Sequence, residues 1–243
     1  MKIISLNIWG GRVREKLLEF LEEHEKIDVF CLQEVYDNAE EKEIIYNDAM
    51  LDIYEDIKKV LLNYVGYFRP HLKDYYGLAI FAKNNLDIIE EGEHFVHKHK
   101  GYVPIDHIGF HAKNIQYIKI LLNQKNITIM NFHGLWNGNG KTDTEDRLNQ
   151  SKKIKEFVDS TDGEKILCGD FNLRPDTESI KTLENGMRNL IKEYKINSTR
   201  TNLYTKPERF ADYIFVSDGV KIKEFRVMPD EVSDHSPLFL DFE

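Results

Sequence analysis

Two short runs in this chain combine acid, amide and imidazole groups: Gly169-Asp170-Phe171-Asn172 and Ser233-Asp234-His235-Ser236. Each follows or abuts an apolar stretch, so each delivers its polar groups from the end of a predicted strand. Asn7 and the Gln33-Glu34 pair end two further apolar runs. Carboxylate and amide oxygens suit a hard divalent cation, and a carboxylate or imidazole beside it takes a proton from water. Hydrolysis of a phosphate ester needs both, because positive charge must offset the phosphoryl oxygens while a base activates the nucleophile.

The elements that must position these groups are legible as short apolar runs between turn residues. Strands are predicted at Ile3 to Ile8, Val29 to Gln33, Gly77 to Ala82, Leu86 to Ile89, Ile115 to Leu122 and Ile127 to Phe132. Further strands are predicted at Lys165 to Cys168, Ala211 to Val216, Lys221 to Val227 and Pro237 to Phe242. Asn123-Gln-Lys-Asn126 has turn composition and joins two of them as a hairpin. Val13, Leu17, Leu18 and Leu21 fall at helical spacing, and Ala39 to Leu62 carries helical character. Thr142-x-x-Glu145 reads as a capping box opening a helix with Leu148, Ser151, Ile154 and Val158 on one side. Many strands with few helices, and hairpins among them, predict an α/β (α+β) fold: two packed mixed β-sheets flanked by helices. With no Pro- or Ser-rich linker, residues 1–243 are expected to form one domain.

Asn7-Ile-Trp-Gly10, a helix and then Val29-Phe-Cys-Leu-Gln-Glu34 is echoed by Asn131-Phe-His-Gly134, a helix and then Ile166-Leu-Cys-Gly-Asp170. Both read strand, Asn-x-aromatic-Gly, helix, strand, carboxylate, with a cysteine in the same place. A pseudo-twofold pair of β-α-β units would bring both carboxylate ends to one rim; chance similarity of short motifs is the alternative.

The net charge of −9, without a long basic run, excludes nucleic-acid binding driven by bulk charge. Cys31 and Cys168 lie in apolar runs and show no CxxC spacing, which fits buried free thiols in a reducing compartment. The N-terminal run reaches Asn7 before a signal-peptide core could form, and nothing approaches membrane-span length. The expectation is a soluble, cytoplasmic protein without a membrane partner.

The order Leu6-Asn7, Leu32-Gln33-Glu34, Asn131-Phe132-His133, Gly169-Asp170-Phe171-Asn172, Asp212-Tyr213-Ile214-Phe215, Ser233-Asp234-His235 resembles the endonuclease/exonuclease/phosphatase superfamily, the group of the pancreatic-type deoxyribonuclease and the apurinic endonucleases. The resemblance runs nearly end to end and implies that superfamily's four-layer sandwich. It implies that Glu34 binds catalytic Mg²⁺ or Mn²⁺, with Asn7 on the metal or its phosphate and Asp234 near a second metal position. Asp170 would orient or deprotonate the attacking water, and Asn172 would position phosphate or water. His235 would touch the phosphoryl oxygen or act as base, its ring fixed by Asp212. His133 matches a histidine of the deoxyribonuclease branch, where other branches use tyrosine; it would stabilise developing charge or protonate the leaving oxygen. The expected activity is metal-dependent phosphodiester hydrolysis of nucleic acid or nucleotides by water attack on phosphorus. A phosphomonoesterase or a lipid or inositol phosphate phosphatase is the alternative on the same scaffold. A binding module with a dead metal site fits poorly, since every motif position is filled.

Other residues carry weaker signals. Asn7, Asp170 and Asn172 are also ordinary turn formers. Trp136, in the glycine-rich insertion Gly134 to Lys141, suits base stacking, although core packing is the default for tryptophan. Lys141, Arg147 and above all Arg200 are candidate phosphate anchors. His94, His97, His99, His107 and His111 crowd together, and His97 and His99 could share a strand face. Zinc is one reading, but ligand spacing does not support it, and a solvated edge fits better.

Overall fold

The computed structural model of the chain describes residues 1–40, 48–102, 104 and 110–243. Two six-stranded mixed sheets carry the fold. In the first, the order is β11 (Ile222–Val227), β12 (Leu238–Phe242), β1 (Lys2–Asn7), β2 (Val29–Tyr36), β4 (Tyr76–Lys83), β3 (Tyr64–Leu72). In the second it is β5 (Ile88–His97), β6 (Lys113–Leu122), β7 (Lys125–His133), β8 (Glu164–Asp170), β10 (Asp212–Val216), β9 (Arg188–Asn189). Helices α1 (Arg14–Glu23) and α2 (Ile53–Val60) pack on the first sheet, and α3 (Glu145–Ser160), α4 (Glu178–Glu184) and α5 (Leu190–Glu193) belong to the second. The predicted sandwich of packed mixed sheets is the observed architecture.

The sequence echo is realised in the topology. Each sheet has one parallel pair at its centre, β1 with β2 and β7 with β8, and every other neighbour is antiparallel. The crossovers pass through α1 in one sheet and α3 in the other. Cys31 and Cys168, the equivalent cysteines, are both buried and free, and their side chains meet between the sheets.

Strand periodicity then dictates which side chains face the second sheet. In β1, Ile3 joins the inter-sheet core while Ile4 and Leu6 pack toward the helices, so Ser5 and Asn7 point inward with Ile3. In β2, Val29 and Cys31 point inward, and Gln33 follows them. By alternation Glu34 would point outward to the helices. It does not, because the register with β4 shifts between Gln33 and Val35 and Glu34 adopts a left-handed φ of 60°. The extra residue of a bulge re-aims its side chain, here back to the inter-sheet face.

Beneath the site the inter-sheet layer is polar. The Gln33 side-chain amide donates to Asn131 Oδ1 at 2.7 Å, and Asn131 Nδ2 donates to the Leu32 carbonyl at 2.9 Å and to Gln116 Oε1 at 3.3 Å. Gln116 in turn donates to the Tyr67 carbonyl of the first sheet at 2.7 Å. Buried amides without partners cost about 1–3 kcal/mol each, so this seam admits one register of sheet on sheet.

Several predicted elements shift. Helix α3 is capped by Thr144, whose side chain accepts from the Arg147 N–H, rather than by Thr142, and Leu148 is only partly buried. The helical reading of Ala39 to Leu62 holds only for α2; residues 41–47 lie outside the described residues. Strand β3, an edge strand interrupted by Pro70, was not predicted because an edge alternates weakly and carries proline. The Asn123–Gln124 hairpin is observed, with both residues at positive φ.

Gly169 sits between Cys168 and Asp170 at φ +141°, and a Cβ there would lie 1.9 Å from the Phe132 carbonyl oxygen of β7. Gly169→Ala must therefore part β7 from β8, and a loss of about 3 kcal/mol or more is expected in urea unfolding. An unchanged midpoint would refute the close strand approach.

Candidate active site

The C-terminal ends of the two parallel pairs meet at one rim. Asn7 aligns with Gln33 across β1 and β2, and His133 aligns with Asp170 across β7 and β8. Asn7 spans the rim: its Nδ2 donates to Glu34 Oε1 and to Asp170 Oδ2, each at 3.0 Å. Its Oδ1 accepts from the Trp9 backbone N–H at 2.9 Å, made possible by Trp9 at φ 53°. One amide thus joins carboxylates from different sheets.

Asp170 Oδ1 accepts from the Asn172 N–H at 2.8 Å, a local Asx turn that holds Asn172 at φ 54°. Asn172 Nδ2 lies 3.3 Å from His133 Nε2. His133 Nε2 is also 3.7 Å from Glu34 Oε1 and 3.8 Å from Asp170 Oδ2. Burial, and then the nearby Lys113 ammonium, hold His133 well below the usual imidazole pKa, with Asp170 opposing.

On the other side, His235 Nδ1 is 2.7 Å from Asp212 Oδ1, and Asp212 Oδ2 accepts from Thr199 Oγ1 at 2.8 Å. His235 Nε2 lies 3.5 Å from Asp170 Oδ2 and 3.8 Å from Asp234 Oδ1. Burial and the Arg200 guanidinium push its pKa down, but the carboxylates of Asp212, Asp234 and Asp170 outweigh them and raise it. The backbone of Arg200 forms a β-bridge with His235, which sets the Arg200 side chain against Asp234: Nη1 donates to Oδ2 at 3.0 Å.

The two central carboxylates are pushed apart electrostatically. Burial raises Glu34 to about 7, with the Asn7 hydrogen bond opposing. Burial also raises Asp170, but His235, Lys141, His133 and Arg200 overcome it and hold its pKa below the ordinary range. Ligand atoms of Glu34, His133 and Asp170 all lie within 4.8 Å of one another, as do those of Asp170, Asp212 and His235. This oxygen-rich donor set, with Asp234 Oδ1 lacking a hydrogen-bond partner, fits a hard divalent cation.

All eight residues predicted for catalysis and metal binding therefore converge, and Arg200 joins them through Asp234. Trp136 does not pack in the core, against the default for tryptophan. It is partly exposed, with Lys206 Nζ 5.6 Å from its ring centroid. Arg147 donates through Nε and Nη1 to the Leu135 and Thr142 carbonyls, and its buried Nη2 has no acceptor. The histidine run disperses. His94 stacks on Phe157 of α3, His97 is buried, His99 is exposed, and His111 stacks on His71 with centroids 5.0 Å apart. His97 and His99 therefore share no face, and His107 lies outside the described residues. Among the described residues no metal-capable cluster includes them.

Reading the sequence missed Lys113, His71 and Tyr204. Lys113 is buried and lowered to about 7 by burial, with Glu34 and Asp170 opposing. A lysine opening an apolar strand was a signal, because a buried ammonium needs compensating charge. Nothing in the sequence marked His71, whose Nδ1 lies 3.0 Å from Asn114 Oδ1.

Comparison with known proteins agrees with this geometry. The chain matches the family model "Endonuclease/Exonuclease/phosphatase family" over residues 4–235. Its fold is similar to that of a mannosyl-6-phosphatase from Bacteroides thetaiotaomicron, with TM-score 0.74 and 19% identity over 100% of this chain and 99% of that one. It is also similar to D. rerio TDP2 complexed with single strand DNA product, with TM-score 0.73 and 17% identity over 100% and 98%. A family protein from Leptotrichia buccalis gives TM-score 0.73 and 21% identity over 100% and 99%. No curated protein matches the chain. No described helix is long and apolar enough to cross a membrane. The match over most of the chain, and the site at the joined ends of both β-α-β units, place the protein in the Endonuclease/Exonuclease/phosphatase family of phosphoester hydrolases.

Proposed function

We propose that the chain is a phosphodiesterase acting on nucleic acid or nucleotides, with Mg²⁺ or Mn²⁺ held by Glu34 and supported by Asn7 and Asp234. The observation that carries this reading is the opposition of an ionised Asp170 to a charge-raised His235 across 3.5 Å. When bound, the cation supplies Lewis-acid charge against the phosphoryl oxygens. Asp170, held by Asn7 and by the Asn172 N–H, presents a fixed carboxylate that orients water and takes its proton. His235, tied through Nδ1 to Asp212, carries positive charge at Nε2 where the pentacoordinate phosphorus develops negative charge. His133 and the Asn172 amide position the phosphoryl oxygens. The D. rerio TDP2 structure holds a single strand DNA product, which supports a base-bearing substrate and a stacking role for the half-exposed Trp136 ring. The buried free thiols support a reducing, cytoplasmic setting.

Hydrolysis of bis(p-nitrophenyl) phosphate and of single-stranded oligonucleotides tests the assignment. Chelation by EDTA should abolish turnover, and Asp170→Asn and His235→Ala should each lower kcat on the order of 10²–10⁴-fold. Turnover that persists without metal, or in both variants, removes the hydrolase mechanism. Activity confined to phosphomonoesters would favour the phosphatase alternative.

Metal binding should also depend on pH with a definite sign. Glu34 at about 7 is protonated in acid, and a cation must displace that proton to use the carboxylate. Affinity for Mn²⁺ should therefore fall about tenfold per pH unit below 7 and level off above it. Calorimetric titrations at pH 6 and 8, in buffers of different ionisation enthalpy, should show proton release only at the lower pH. Equal affinities without proton release would refute the raised pKa of Glu34.

A further inference from the structure

One buried cation near Asp170 lacks a hydrogen-bond acceptor. Lys141, in the insertion between β7 and α3, is 3% exposed, and its Nζ has no hydrogen-bond acceptor. Its backbone is fixed, since the Lys141 carbonyl accepts from the Arg174 N–H at 2.9 Å. A buried ammonium without an acceptor is costly, and proteins tolerate it where a ligand supplies the missing partner. The groups whose fields reach it are Asp170, Arg200, Asp212 and Asp234. Asp212 and Asp234 also flank His235, whereas Lys113 is opposed by Glu34 and Asp170.

Arg200 shares this corner. Its Nη1 is committed to Asp234, but its Nε, also buried, has no acceptor. Both cations lie against the Tyr204 ring: the Arg200 guanidinium is 4.0 Å from its centroid, and Lys141 Nζ is 5.8 Å from it. Two buried N–H donors without acceptors, held around one aromatic ring, make an anion seat distinct from the groups that face the reacting phosphorus. Burial lowers Lys141 to about 8 in spite of the carboxylates, and an anion at this seat would restore its full charge.

We propose that Lys141 and Arg200, braced by Tyr204, bind a second phosphate of the substrate, one that flanks the phosphate being hydrolysed. The inference rests on the phosphodiesterase reading above and narrows it to substrates carrying at least two phosphates, such as an oligonucleotide end or a nucleoside bisphosphate. The second phosphate is not cleaved; it fixes the register of the chain across Asp170.

Binding separates this proposal from the catalytic one. Thymidine 3′,5′-bisphosphate and thymidine 5′-monophosphate are titrated calorimetrically into the protein with Ca²⁺ present. The wild type should prefer the bisphosphate at least about tenfold, the worth of one charge-assisted phosphate contact. Lys141→Met should cut that preference to about twofold or less, and Lys141→Arg should retain most of it. Thermal melting checks that each variant folds; if Lys141→Met does not, Lys141→Gln takes its place in the same comparison. Equal binding of both nucleotides by the wild type overturns the proposal. So does a variant that weakens both equally, because Lys141 would then serve the reacting phosphate itself. Hydrolysis of bis(p-nitrophenyl) phosphate by the wild type is scored separately. A protein inactive there but selective for the bisphosphate keeps the anion seat and loses the phosphodiesterase reading; the reverse result does the opposite.

Discussion

Two carboxylates from different sheets, Glu34 and Asp170, share the Nδ2 of Asn7 in a site closed to solvent. Like charges in such a place cannot both be ionised without compensation, because low dielectric magnifies their repulsion and burial penalises each. The protein resolves the conflict unevenly. Asp170 is surrounded by His235, Lys141, His133 and Arg200 and keeps its charge, whereas Glu34 rises to about 7. A divalent cation bound here would offset the remaining repulsion by stabilising the second anion.

Holding those carboxylates together demands departures from regular strand geometry. Glu34 faces the rim only because β2 bulges and accepts a left-handed residue. Trp9 and Asn172 take the same backbone region beside Asn7 and Asp170. A left-handed conformation costs of order 1–3 kcal/mol at residues such as Trp9 and Glu34, while asparagine tolerates it better. The counterweight is the seam below, where Gln33, Asn131 and Gln116 bind each other and the opposing backbone. If the sheets slid on one another, this seam would lose its bonds before the rim lost its geometry.

Much of this was legible in the sequence because the site is written at strand ends. Apolar runs ending in Asn7, Glu34, His133 and Asp170 gave both the strands and the residues they deliver. The echo around Cys31 and Cys168 foretold two equivalent β-α-β units. What stayed hidden depends on contacts between residues distant in the chain. Asn7 read as a ligand, yet its Nδ2 hydrogens face the carboxylates, a relation set by sheet packing. The lowered pKa of His133 follows from burial beside Lys113, which periodicity does not reveal. Thr142 matched a capping pattern, but Thr144 won because a cap is decided by backbone direction as well as residue type. The described histidines of the His94 to His111 run form no metal-capable cluster.

Surface charge and site charge oppose each other, and the opposition bears on the proposed substrate. A net charge of −9 repels polyanions at long range, where salt screens it within about 10 Å. The cations nearest Asp170 are instead buried: Lys113, Lys141 and Arg200 have little solvent to screen them. Attraction then begins only when a phosphate enters the cleft, and it acts on the few phosphates that fit there. A duplex gripped along its length gains nothing from such an arrangement, since its outer phosphates meet an acidic surface. A strand end or a nucleotide places its charge where the buried cations are and leaves little of it outside. For the same reason the flanking contacts of Lys141 and Arg200 contribute more than equal charges on the surface would, because the energy of each pair scales inversely with the local dielectric.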